Sequence, residues 1–361
     1  MRDENCKYSR FFCNLIMEYY YIQHFSFEKV SELLKLSYGL DIDYRRICDL
    51  CNRTIEDFKL KKFEEVEEDI RNGKIKLGHV GNYDEEFVYV KHQPYVRLTL
   101  IDYKTRIILK DILIPRKLFN RNYIKSFIQD AIKGLDYHTI VTDGDRRYKK
   151  ILEELGLNQQ RCIFHSMQNL MVKINPVHNR LKRRIKTINK EIHEKEEKLA
   201  VLKKKYKGCV GKPKNEDKRR KNDIEKMNKL RAEISQFKAE KRKHKKHMKE
   251  DNKYVKKISR ILKLKSFEKA VDNFEKIWEI KDDLSKEIRS HLMNLKKYLP
   301  KALLHTKLKE VPRTNNLIES FYKTTLPRKI KNIYMTYEGI MNRIILADLR
   351  WMQKHISMKQ K

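Results

Sequence analysis

The spacing of apolar positions changes character along the chain. Apolar and tyrosine residues crowd residues 11–24, and from Ser26 onward Val30, Leu33 and Leu34 recur at helical spacing behind a serine suited to capping a helix N-terminus. Gly39 breaks that pattern. A second amphipathic segment begins after Asp43, carrying Ile47, Leu50, Thr54, Ile55 and Phe58 on one side and leaving Arg45, Arg46 and Arg53 to the other. Residues 61–78 are charged and read as a connecting helix or linker ending near Gly73. Beyond them the period drops from 3.6 to 2. Residues 84–90, 95–102 and 106–115 predict three strands of an antiparallel meander joined by short turns. An amphipathic helix over 120–133 follows, then a short apolar strand at 139–142. A helix over 145–155 closed by Gly156 comes next, and a further strand that ends in the run from Cys162 to His165.

Helical periodicity then takes over. Leu181, Ile185, Ile188, Ile192, Leu199 and Leu202 fall on alternating steps of four and three, with Lys195 in one core slot. A second run holds Ile224, Met227, Leu230, Ile234 and Phe237, and the stretch from Gly208 to Pro213 between them reads as a turn. The pattern predicts an antiparallel, coiled-coil-like hairpin with arms about 45 Å long, if roughly 30 residues rise 1.5 Å each. Helices over 252–298 (Phe267, Phe274, Ile277, Trp278) and 337–352 (Ile340, Ile344, Leu346, Trp351) complete the chain.

Charge narrows the partners. Against 49 Asp and Glu stand 84 Lys and Arg in 361 residues, a net charge of +35, which is the footprint of a protein that lies along phosphates. Residues 178–260 hold 32 basic against 12 acidic side chains, more than half of the excess. No run approaches the roughly 18 apolar residues of a membrane span, so a soluble cytoplasmic, nucleoid-associated protein without membrane contact is expected. Six cysteines are too few for a disulfide framework and read as reduced thiols. Helix, glycine turn and a second helix with arginines near its start is also the plan of a helix-turn-helix, which would send Arg45, Arg46 and Arg53 to the major groove of double-stranded DNA. A purely structural helical pair is the bland alternative.

The candidate chemistry lies in carboxylates. Asp143 stands at the carboxyl end of a short apolar strand, where open α/β sheets place their sites. Meander, helix, strand, helix, strand is the element order of a mixed α/β, ribonuclease-H-like core, in which the first and fourth strands are neighbours. Asp84 and Asp143 would then meet across 59 residues of sequence. The segments YDEEFVYV, YVRLTLIDYKTRIIL, VTDGDRRY, CIFH and PRTNNLIESFYK together resemble the catalytic core of DDE-class insertion-sequence transposases, of the prokaryotic type with an N-terminal helix-turn-helix. The resemblance covers most of 23–175 and 310–350. It implies Asp84, Asp143 and Glu319 as catalytic and Mg²⁺-binding acids, with Mn²⁺ able to substitute and Asp102 as the alternative first acid. Cys162 and His165 resemble a C-x-x-H element of mutator-like relatives, and with Asn315 and Asn316 they would support the acids from behind. A homodimer or larger assembly on paired DNA ends is implied as well.

The residues support that chemistry on their own terms. Displacement at phosphorus is served by two Mg²⁺ ions about 3.5–4 Å apart, and Mg²⁺ asks for a few hard oxygen ligands on rigid elements. Asn315 and Glu319 are four apart, presenting amide and carboxylate on one helix face behind Thr314, a residue suited to capping the helix. The bland readings are a Glu319–Lys323 helix pair, and an N-cap role for Asp143 that Asp145 fills equally well. Cys162 and His165 are too few for a closed zinc site, which needs four ligands. The expected organisation is a DNA-binding segment over 1–62, a linker over 63–78, the core over 79–175, a basic helical insertion over 176–309 and core completion over 310–361. Two functions fit: an active DNA transposase, or a catalytically inactive DNA-binding protein derived from one.

Overall fold

The computed structural model describes residues 8–23, 25–207, 218–331 and 334–357, which form a mixed α/β protein. It divides into two compact units, Met1–Cys162 with Lys301–Lys361, and Ile163–Pro300.

The first unit opens with α1 (Arg10–Met17), which runs into a π-helical turn, α2 (Phe27–Tyr38) and α3 (Tyr44–Arg71). Local chemistry sets these boundaries. The Ser26 hydroxyl accepts from the Lys29 amide at 3.3 Å, Gly39 ends α2 at φ 65°, and the Asp43 carboxylate accepts from the Arg45 amide at 2.8 Å. Residues 63–71, read as linker or connecting helix, continue α3 without a break.

The sheet consists of β1 (Val80–Val90), β2 (Gln93–Asp102), β3 (Ile108–Pro115), β4 (Thr139–Thr142) and β5 (Asn158–Arg161), with α4 (Arg121–Ala131) and α5 (Arg146–Glu154) between the later strands. Its order is β3-β2-β1-β4-β5; β1 pairs antiparallel with β2 and parallel with β4. Lys91 and His92, at φ 47° and 63°, make the two-residue β1–β2 turn, a backbone shape in which both central residues need positive φ. β2 and β3 start two residues from expectation, and two strand limits shift by four residues. β1 starts at Val80, because Gly81 and Asn82, poor strand formers, still pair on both sides. β5 stops at Arg161, because Ile163, Ser166, Leu170 and Ile174 are buried at helical spacing and start the next helix.

Alternation along β1 builds two layers on the sheet. Tyr83 joins Leu98, Leu100, Ile140, Phe127, Tyr148 and Ile151 beneath α4 and α5. Val88 and Val90 face the other way, against Leu326, Ile340 and Ile344. The latter belong to the closing segment, α10 (Asn316–Thr325, numbered after the second unit's helices α6–α9) and α11 (Tyr337–Ser357). Helices α1–α3 share one core with α10 and α11 through Leu34, Ile47, Ile55, Phe321 and Leu349.

The second unit holds α6 (Ile163–Lys205), α7 (Lys218–Ile261), α8 (Phe267–Glu279) and most of α9 (Lys286–Ala302). Ion pairs Arg184–Glu240, Glu196–Lys238 and Lys205–Asp223 have partner numbers that fall as those of α6 rise, so α6 and α7 are antiparallel. Ile188, Ile192, Leu199 and Ile234 form their shared core, and Lys195 occupies its slot by pairing with Glu233. At 43 and 44 residues these helices are about 65 Å long, well beyond the expected 45 Å, because α6 already starts at Ile163 and runs through Pro176. The expected turn at 208–213 lies outside the described residues.

Candidate active site

The parallel register of β1 and β4 builds the site. Val80 pairs with Thr139, Gly81 with Ile140 and Asn82 with Val141. Two residues beyond the last β1–β4 pair come Asp84, still within β1, and Asp143, one residue past the end of β4. Both are half-buried. Side-chain alternation places Asp84 on the face of Asn82 and Glu86, with Thr99 opposite it on β2, while Tyr83 and Glu85 point to the α4/α5 side.

Helix α10 is fastened over this edge at two points one helical face apart. Asn315 is fully buried. Its side-chain oxygen accepts from the Asn82 amide at 2.6 Å, its own amide donates to the Tyr83 carbonyl at 2.9 Å, and its backbone N–H meets the Cys162 sulfur at 3.3 Å. Seven residues on, the Tyr322 hydroxyl donates to the Asp84 carbonyl at 2.8 Å. Glu319 lies between these anchors at i+4 and i−3, so it occupies the helix face turned to β1. The electrostatics agree. Burial pushes the Asp84 carboxyl well above the usual range, the charge of Glu85 adds to the push, and Asp143 and Glu319 follow, against hydrogen bonding from the Glu85 amide. Thr314, the expected cap, yields that position to Asn315, whose side chain serves the sheet instead of the helix end.

The turn after β4 separates the two neighbouring aspartates by role. Asp145 caps α5, accepting from the Arg147 amide at 2.8 Å and pairing with its guanidinium at 2.9 Å. Asp143 accepts only the Asp145 amide, at 2.8 Å, through one oxygen among the described bonds. Arg161, at the end of β5, donates to the Gly144 carbonyl at 2.8 Å and fills the space a Cβ at Gly144 would need.

Other candidates go elsewhere. Asp102 is paired with Gly81, three residues from Asp84 and on the opposite face. It is buried and saturated by four donors: the Gly78 amide, the Thr105 amide and hydroxyl, and the Tyr137 hydroxyl, at 2.6–2.9 Å. Asn316 is exposed. Cys162 is buried and serves as the sulfur acceptor for Asn315, while His165 belongs to the second unit, edge-on to Phe164. Arg45, Arg46 and Arg53 are all exposed on α3. Among the described residues no three His, Cys, Asp or Glu side chains form a ready-made metal cage.

Sequence reasoning missed three residues at the site. Glu85 accepts from the Tyr83 hydroxyl at 3.0 Å and from the Tyr148 hydroxyl, linking β1 to α5 beneath the aspartates. Arg161 was the third. The only signal for Glu85 was its place in a run of three acids; Tyr148 and Arg161 carried none.

No protein-family model matches the chain. Among curated proteins it is similar to the "Insertion element ISM1 uncharacterized 48.3 kDa protein" of Methanobrevibacter smithii, at 24% identity over 335 residues. That alignment covers 92% of this chain, which spans 65% of the relative's length. Among solved structures it is matched to a chain in the cryo-EM structure of the simian T-cell lymphotropic virus intasome in complex with PP2A regulatory subunit B56 gamma. There the identity is 15% over 44% of this chain and 49% of that one; the TM-score of 0.22 is too low to carry an argument. No helix among the described residues is long and apolar enough to cross a membrane.

Proposed function

We propose that this chain is an insertion-element transposase of the DDE class, with a ribonuclease-H-like core in which Asp84, Asp143 and Glu319 are the catalytic acids. The observation that carries the reading is the bracketing of Glu319 by Asn315 and Tyr322 over β1, beside two aspartates at equivalent positions of neighbouring parallel strands. The strand order β3-β2-β1-β4-β5 and the insertion-element relative support it. Asp84 is preferred to Asp102 as first acid because Asp102 is saturated by protein donors and faces the other side of the sheet.

The donor set suits Mg²⁺, with Mn²⁺ as substitute: hard carboxylate oxygens, among which Asp84 is pushed up first by burial and then by the charge of neighbouring carboxylates that a cation would offset. Asp84, Asp143 and Glu319 would hold it. When bound, such ions supply Lewis-acid activation of the attacking oxygen and charge neutralisation at the leaving one. The protein's part is positioning. Asn315 and Tyr322 hold the helix that carries Glu319, the Asp145 amide orients the Asp143 carboxylate, and Arg161 places positive charge beside the turn where a phosphodiester would lie. The exposed Arg45, Arg46 and Arg53 on α3 would contact the DNA of the element ends, and double-stranded DNA, both ends and target, is the substrate. Pairing of ends would need a homodimer or larger assembly.

The test is Mg²⁺-dependent cleavage of duplexes carrying the element's terminal sequences. Asp143→Asn and Glu319→Gln should each lower strand cleavage by roughly 10³-fold or more, about 4 kcal/mol of barrier, while leaving DNA binding intact. Cleavage that survives both changes but is lost with Arg45 and Arg46 would favour the inactive DNA-binding alternative.

A further inference from the structure

The second unit carries a charge pattern that a solvated helix does not need. On α7, Arg242, Lys246, Lys249, Lys253, Lys256 and Arg260 recur at steps of 4, 3, 4, 3 and 4, and every one is exposed. At about 100° per residue they form one stripe, opposite the face that buries Asp251, Ile258 and Ile261. The stripe is about 27 Å long, one cation every 5 Å or so.

Little inside the protein answers this charge. Residues 238–260 contain three acids, Glu240, Glu250 and Asp251. Glu240 is held by Arg184 and His244, and Asp251 is buried against His178 at 2.9 Å. Glu250 comes only to 4.0 Å of Lys246, with both side chains well exposed, a pair of small value. Like charges at i,i+3 and i,i+4 destabilise a helix. A merely solvated face ordinarily alternates sign to avoid that cost; this one does not.

We propose that this face of α7 is a track for the phosphate backbone of duplex DNA, engaged without regard to base sequence. The DNA class rests on the transposase reading; the phosphate chemistry rests on the stripe itself. Duplex DNA carries one charge per roughly 1.7 Å of axis, so a 27 Å track faces more phosphates than its six cations can neutralise. Four of the six are lysines, compact point charges suited to phosphate oxygens. No aromatic lies on the stripe to stack an unpaired base.

The test uses the full chain and a 25-base-pair duplex of arbitrary sequence, with affinity followed by fluorescence anisotropy across KCl concentrations. The quadruple variant Lys246→Gln, Lys249→Gln, Lys253→Gln, Lys256→Gln should flatten the slope of log K against log salt by about 3 to 4, equally for element-end and arbitrary duplexes. Helix content by circular dichroism should stay at the parent value, since all four side chains are exposed. An unchanged slope would overturn the proposal. So would a loss confined to element-end sequence, a greater loss for RNA duplex or single-stranded DNA than for duplex DNA, or a parent that binds no duplex at all. Cleavage is not read in this experiment, so failure of the carboxylate assignment remains a separate outcome, seen only with Asp143→Asn and Glu319→Gln.

Discussion

Glu85 and Asp84 are adjacent in sequence, yet the pleat sends them to opposite sides of the sheet. Burial pushes the Glu85 carboxyl from an ordinary 4.5 up to about 7; the charge of Asp143 adds to the rise, while the hydroxyls of Tyr148 and Tyr83 work against it. The native state therefore holds this proton more tightly than the unfolded chain does. Stability from this group is complete below pH 4.5 and is lost as pH rises through 7, about 3 kcal/mol in all. In EDTA, urea unfolding of the parent should weaken between pH 4.5 and 7.5, and Glu85→Gln, of equal size and no charge, should flatten that dependence. The same slope in both proteins would remove Glu85 as its source. Asn315 makes the companion case: in sequence it was one of two candidate amides beside Glu319, and the fold buried it while leaving Asn316 exposed. Asn315→Ala strands the Asn82 amide and the Tyr83 carbonyl away from water, and should cost about 2–3 kcal/mol by thermal unfolding. Cleavage should fall more than DNA affinity, because Glu319 loses its anchor.

Among the elements, β2 illustrates what periodicity reads and what it misses. The run from Tyr95 to Asp102 announces a strand, and the strand is there. Arg97 within it reads as an outward polar position, but it is wholly buried. Its guanidinium pairs with Asp111 on β3 and with Asp348 on α11 at 2.8 Å, donates to the Thr325 hydroxyl at 2.8 Å, and lies 4.8 Å from the centre of the Phe321 ring. One residue thus binds the sheet to the two closing helices. Arg97→Leu leaves two carboxylates buried without their cation and should lower unfolding stability by about 3–5 kcal/mol. Replacing Arg97, Asp111 and Asp348 together by apolar residues should cost much less, since no uncompensated charge remains; equal losses in both variants would show that packing, not charge, is what Arg97 supplies. Nothing in the local pattern of β2 could reveal this, because the partners lie 14 and 251 residues away.

For the molecule as a whole, the excess of positive charge and the exposed arginines of α3 make distinct predictions. On the proposed DNA-binding reading, the +35 balance should make binding steeply salt-dependent. Arg45→Ala and Arg46→Ala, by contrast, should reduce the preference for element-end over arbitrary duplex by roughly tenfold each, as expected for side chains at base edges, measured by competition anisotropy. A uniform loss across sequences would assign them to phosphates instead.

The presence and order of the strands and helices, the cap at Ser26, the Gly39 stop and the basic character of the helical pair were determined by sequence alone. Each follows from side-chain period or backbone preference within a few residues, or from a simple sum of charge. Only the tertiary structure decided that Glu319 comes over β1, that Arg97 is a buried hub, that Asp102 is consumed by a turn, and that Cys162 accepts a bond from Asn315. Those outcomes depend on register and on packing between segments up to 251 residues apart, where a one-residue slip of a strand would send every side chain to the other face.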